Sequence, residues 1–162
     1  MTESMEDAVS AVARLRESVK AVNRPDEGMR GTRADAAKLE AARNVQQLQS
    51  LASVVAVYAD DGTAWAAAAS ASAVIRSIAI TADAASLVSQ VVAPACCRAL
   101  AAEHEAPGRS IVLHWLLPAV ARLAQHQESH THLIKAGLLG ALASTVSTLV
   151  DVVKSQKQGW RI

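Results

Sequence analysis

The chain has 162 residues, 51% of them hydrophobic but only 2% aromatic, no Phe, and a formal net charge of +1. That length suits one core, and an apolar mass of Ala, Leu and Val with scarce Gly suits helices rather than sheets. The near-neutral charge offers no basic footprint for nucleic acid and no polybasic patch for a membrane surface, so neither partner is expected.

At the amino terminus, Met1 to Asp7 is acidic and lacks the basic start and apolar run of a secretory signal. An intracellular, cytoplasmic setting is therefore expected. Apolar spacing read against turn signals then predicts about six helices. The first covers about Glu6 to Val22. Its stripe of Val9, Val12, Leu15, Val19 and Val22 is spaced by threes and fours, with Arg14, Arg16, Glu17 and Lys20 on the opposite face. Pro25, Gly28 and Gly31 mark a linker after it, so residues 1–31 read as a capping helix and linker.

A long helix from about Thr32 to Ala59 follows, with Leu39, Val45, Leu48, Leu51, Val54, Val55 and Tyr58 on its apolar side, until Asp60-Asp61-Gly62 stops it. The third helix, Thr63 to Ile80, is rich enough in Ala to let a neighbour pack closely. Thr81-Ala82-Asp83 separates it from a fourth, Ala84 to Ala102, carrying Leu87, Val88, Val91, Val92 and Leu100. Cys96 and Cys97 lie in this helix; adjacent cysteines rarely pair, and both read as small buried hydrophobes in a reduced compartment.

Beyond Pro107-Gly108, Ser110 to Ala124 is apolar on nearly all sides. It must be central or covered by a partner, and Pro118 would kink it. A polar stretch, Gln125 to Ser129, leads to a last helix from about His130 to Ser155 with a stripe of Leu138, Leu142, Val146, Leu149 and Val153. The uncharged stretch between Lys135 and Asp151 falls short of the roughly 20 apolar residues of a membrane span, so no transmembrane helix is expected. Residues 32–155 read as one helical domain and 156–162 as a polar tail.

Internal similarity organises these helices. Gly62 and Gly108 stand about 46 residues apart, within the range of stacked-repeat proteins. The offset recurs between Ile78-Ala79 and Leu123-Ala124, between Leu87-Val88 and Leu133-Ile134, and between Val92-Ala93-Pro94-Ala95 and Leu138-Leu139-Gly140-Ala141. The stretch from Ala119 to Ala124, a polar turn, then Leu133-Ile134-Lys135-Ala136-Gly137-Leu138 resembles the junction between the last two helices of an armadillo repeat. Ser89 to Ala95 resembles the same junction, with Pro94 where that family tolerates a missing donor in the first turn of a helix. The resemblance covers about Thr32 to Ser155 and implies a short right-handed α-solenoid, of armadillo or related HEAT type, whose work is binding proteins. The Asn and Trp ladder of the family's nuclear-import members is absent, because Asn23 and Asn44 are the only asparagines.

Few residues suggest chemistry. His126 and His130 have i,i+4 spacing, and His132 is close, so a helix running through them would offer a weak metal site. The repeat, however, places a loop there. His114 reads as a core or groove histidine, and Glu103-His104-Glu105 as a solvated helix end. No paired carboxylates, phosphate loop or nucleophile motif is present, so neither a catalytic residue nor a cofactor is expected. Aromatic residues often anchor interfaces. Trp160 is the first choice as a contact residue, while Trp65 and Trp115 read as core; Trp115 and His114 are the next contact candidates. A non-enzymatic interaction or scaffold module is the expected function, with a helical bundle holding a His-based metal or small ligand as the alternative. Self-association through an apolar helix face is a third reading.

Overall fold

The computed structural model describes residues 5–23 and 32–159, the side chains of 18–23, 32–34 and 159 excepted. Among these residues every regular element is helical. The order is α1 (Met5–Asn23), α2 (Thr32–Arg43), α3 (Val45–Asp60), a 3-10 turn (Gly62–Ala64), α4 (Trp65–Ile78), α5 (Ala82–Ala101), α6 (Gly108–Ala124), α7 (Gln127–Lys135) and α8 (Leu138–Gly159). The all-α class thus agrees with the composition. The expected linker at 24–31, the side chains of Val19 and Val22, and Trp160 lie outside the described residues.

Among the described residues eight α-helices stand where about six were expected, because two long segments are each broken by a local conformation. Asn44 leaves the helical region (φ −84°, ψ 97°), and its side chain accepts a hydrogen bond from the Gln47 amide. Residues 32–60 are therefore two helices, with Asn44 as the cap of the second; such a cap contributes about 1 kcal/mol. The second break falls at Gly137, whose φ of +91° is the left-handed conformation glycine adopts most readily after a helix. It divides α7 from α8. Conversely, the Ser89 to Ala95 stretch is no junction: α5 runs unbroken through Pro94. Gln127 to Ser129, expected in a loop, form the first turn of α7, and α8 continues to Gly159, through the start of the expected polar tail.

The helices pack chiefly against neighbours two places along the chain. α3 lies between α1 and α5, α5 lies between α3 and α7, and α4 lies on α6. Additional contacts join α1 to α4 and α5 to α8, whereas α1 touches none of α6, α7 or α8 among the described residues. One contiguous core follows this ladder, filled by Leu48, Leu51, Tyr58, Ile75, Ile78, Leu100, Leu116 and Leu123. In α1 the buried line is Ala8, Val12 and Leu15, and Val9 sits on its rim at 38% exposure.

Polar ties reinforce the ladder at the turns. The Thr145 hydroxyl of α8 donates toward the carbonyls of Leu100 (2.8 Å) and Ala141 (2.9 Å). Arg98 of α5 reaches Asp60 at the end of α3, 2.6 Å away, and His104 Nε2 lies 3.1 Å from the Ala59 carbonyl. The bonds from His104 to Ala59 and from Thr145 to Leu100 each span 45 residues, about one repeat.

By length and composition alone, two helices are long and apolar enough to cross a membrane: Ala82–Ala101, whose most apolar window is 61% buried within the chain, and Leu138–Gln158, whose window is 17% buried. Counting only uncharged stretches hid this, because helices carrying one or two charges still satisfy the requirement. The first is the central core helix. The second is largely uncovered.

Candidate functional site

The residues singled out from the sequence do not converge. His126 precedes α7 in an extended conformation (φ −103°, ψ 120°), so the i,i+4 relation to His130 is lost. His130 Nε2 is turned instead to the Ala124 carbonyl at 2.8 Å, tying α7 to the last turn of α6. No group of three or more His, Cys, Asp or Glu among the described residues is placed to hold a metal ion. The Ser129 hydroxyl is buried without a hydrogen-bond partner.

His114, expected in the core or a groove, is exposed on α6, with its ring 5.4 Å from that of Trp115 and perpendicular to it. It falls on the outer face because Val112, Leu113 and Leu116 take the inner one. Trp115 is half-buried, and Trp65, expected in the core, is 36% exposed and packs its edge over Gly108. His104 does not end in solvent: it stacks edge-on against Tyr58, with ring centroids 5.0 Å apart, above Gly62.

Two features form candidate binding surfaces. The first is a groove of about 650 Å³ between α5 and α7, with Gln90, Pro94 and Arg98 on one wall and His132 and Lys135 on the other. Arg98 and Lys135 make it basic, although Asp60 offsets part of the Arg98 charge. The second is the outer side of α8, where Leu139 is 71% exposed, Val146 58%, and Leu149, Val150, Val152 and Val153 between 43% and 51%.

The chain matches no protein-family model, no curated protein and no solved structure.

Of the two alternatives for the apolar helix of residues 110–124, central in the chain or covered by a partner, the structure shows the first, and the uncovered apolar surface is on α8 instead. α6, apolar nearly all round, is covered by α4, α5 and α7 of its own chain, whereas the Leu138 to Val153 stripe is buried only at Leu138 and half-buried at Leu142. Periodicity shows which residues share a face. It does not show whether another helix covers that face.

The cysteines are sealed in the core. Burial, with a smaller contribution from neighbouring Cys97, pushes the Cys96 thiol up from 9.0 to about 12, and burial also raises Cys97. Tyr58 is raised by burial too, against the opposing positive charge of Arg109. In each case the folded chain keeps a proton that the unfolded chain releases. Stability is therefore fully present below about pH 9, where unfolded thiols are protonated, and is lost as pH rises toward the folded value. Thermal denaturation across this range is expected to show a melting temperature that falls above pH 9, with a shallower fall for Cys96→Ala. An equal slope in the variant would remove the buried thiol as the cause.

Proposed function

We propose that this chain is a non-enzymatic interaction or scaffold module, a short armadillo- or HEAT-like right-handed stack of helix pairs serving as a subunit or adaptor of a larger assembly. The observation that carries this reading is the ladder of contacts two helices apart, α3 on α5 on α7 and α4 on α6, with α1 remote from the last three helices. Such a pattern suits helix pairs that cannot bury both apolar sides alone and cover one another in series. The internal offset of about 46 residues and the ties from His104 and Thr145 to carbonyls of the preceding pair fit the same arrangement. A stack of this kind offers its partner an extended groove and open end faces. Here the basic groove between α5 and α7 suits an acidic segment, and α8 forms an open end. The two adjacent buried thiols suit a reducing, cytoplasmic compartment.

Cross-linking the tagged full chain in its own cells, followed by mass spectrometry, tests the proposal. Peptides of a different protein joined to Lys135, Lys154 or Lys157 are expected. Cross-links confined to the chain and its own copies would sink the adaptor role. A link within a single copy between Lys38 of α2 and Lys154 of α8, helices that share no contact among the described residues, would mean a closed bundle and remove the stack.

A further inference from the structure

The outer side of α8 carries more information than exposure alone. Leu139, Leu142, Val146, Leu149 and Val153 follow one another at intervals of three, four, three and four. This is the alternation of the two inward positions of a coiled-coil heptad, so the five lie on one seam. The seam adjoins the side by which α8 holds the body, where Leu138, Ala141 and Thr145 are buried and half-buried Leu142 packs against the core, while its other four residues are exposed. From Leu149 to Gln158 every residue is exposed, and that half of α8 has open space beside it for a second helix.

We propose that this seam pairs with the same seam of a second copy, the two α8 helices running antiparallel and crossing at Val146. The inference rests on α8 being the open end of the stack. Placing Val146 opposite its twin sets Leu139 against Val153 of the other copy and Leu142 against Leu149, and the reverse pairs follow from the two-fold axis. The surface is thus self-complementary, as a closed dimer requires.

Area sets the strength of the pairing, and charge supports the same occupant. The exposed seam residues Leu139, Val146, Leu149 and Val153 present roughly 400 Å², within the range of a monomer's largest patch. Two copies would bury about 800 Å² of seam, below a standard interface of roughly 1,200 Å², so the pairing is that of a weak, concentration-dependent dimer. No charged residue lies between Lys135 and Asp151, so pairing brings no like charges together within the seam and gives no preference for a charged partner. Lys157 falls beyond the paired stretch in the antiparallel arrangement, whereas a parallel pair would bring the two copies of it close. A lipid bilayer fits less well, because insertion would detach Thr145 from the Leu100 carbonyl, a 2.8 Å bond, and would bury Asp151.

Sedimentation of the full chain from about 1 to 100 µM tests the pairing, a range that brackets the affinity expected of so small an interface. The mass should rise toward twice the 16.9 kDa of one chain. Val146→Glu and Val146→Lys should each weaken association at least tenfold with an unchanged melting temperature, since the site is exposed. An equimolar mixture of the two should restore the dimer. Leu139→Cys mixed with Val153→Cys should cross-link on oxidation faster than either alone, with Cys96 and Cys97 shielded in the core. A wild-type chain that stays monomeric overturns the proposal, as does a dimer indifferent to position 146, faster cross-linking of either single variant alone, or a monomer that floats with phosphatidylcholine vesicles through α8. None of these outcomes affects the adaptor or stack readings, which fall by the lysine cross-links described above.

Discussion

Tyr58→Ala is expected to cost about 3–5 kcal/mol of stability, the range for removing a large buried ring, and to lower the melting temperature by roughly 10 °C in a domain of this size. The ring is the largest fully buried side chain among the described residues, with 1% exposed, and it stands where the ends of α3 and α5 meet. Its edge-on partner His104 reaches the Ala59 carbonyl, and Arg98 holds Asp60 one residue further on. Truncation leaves a cavity and also frees the His104 ring that joins the two turns. Relaxation is limited because Val54 and Val55, on the preceding turn of α3, are themselves fully buried. Tyr58→Phe keeps the ring and its edge contact and should remain within about 1 kcal/mol of the parent. Urea denaturation of the pair separates ring volume from hydroxyl chemistry. A loss of less than 1 kcal/mol on truncation to Ala would mean that the α3 to α5 joint does not depend on this ring.

The helical class and most helix ends were legible because they depend on local chemistry: Ala-rich runs, the Asp60-Asp61-Gly62 stop and the Thr81 cap. Thr81 accepts from the Ala84 amide as a capping residue should. The missed breaks were also written locally. Asn44 precedes Gln47 by three, the spacing of a capping box before an apolar run, but the strong periodicity on either side favoured one continuous helix. Gly137 follows Ile134-Lys135-Ala136 as a left-handed residue follows a finished helix. The position of Trp65, the turn of His104 toward Tyr58 and the bareness of α8 were not legible, since each depends on what a distant segment does.

Gly108 shows how such a distant constraint can be tested. Replacing a helical glycine by alanine ordinarily stabilises by about 0.5–1 kcal/mol, because the unfolded chain loses freedom and the helix gains propensity. Here the sign should reverse. A Cβ at Gly108 would stand 2.8 Å from Trp65 Cδ1 and 2.9 Å from Cγ, contacts far inside van der Waals range. The clashing atoms form the root of the indole rather than a mobile tip, so relief requires the start of α4 to move away from the start of α6. These two helices pack along most of their length, and separating their ends should cost about 1–3 kcal/mol, as overpacked sites do. Gly108→Ala should therefore lower the urea midpoint, and Gly108→Ala combined with Trp65→Ala should be less damaging than the sum of the two single changes. Additive losses would show that the close approach of α4 and α6 does not run through this contact. Gly140, with nothing within 4 Å of a built Cβ, is the control: the same substitution there, inside α8, should follow the ordinary sign.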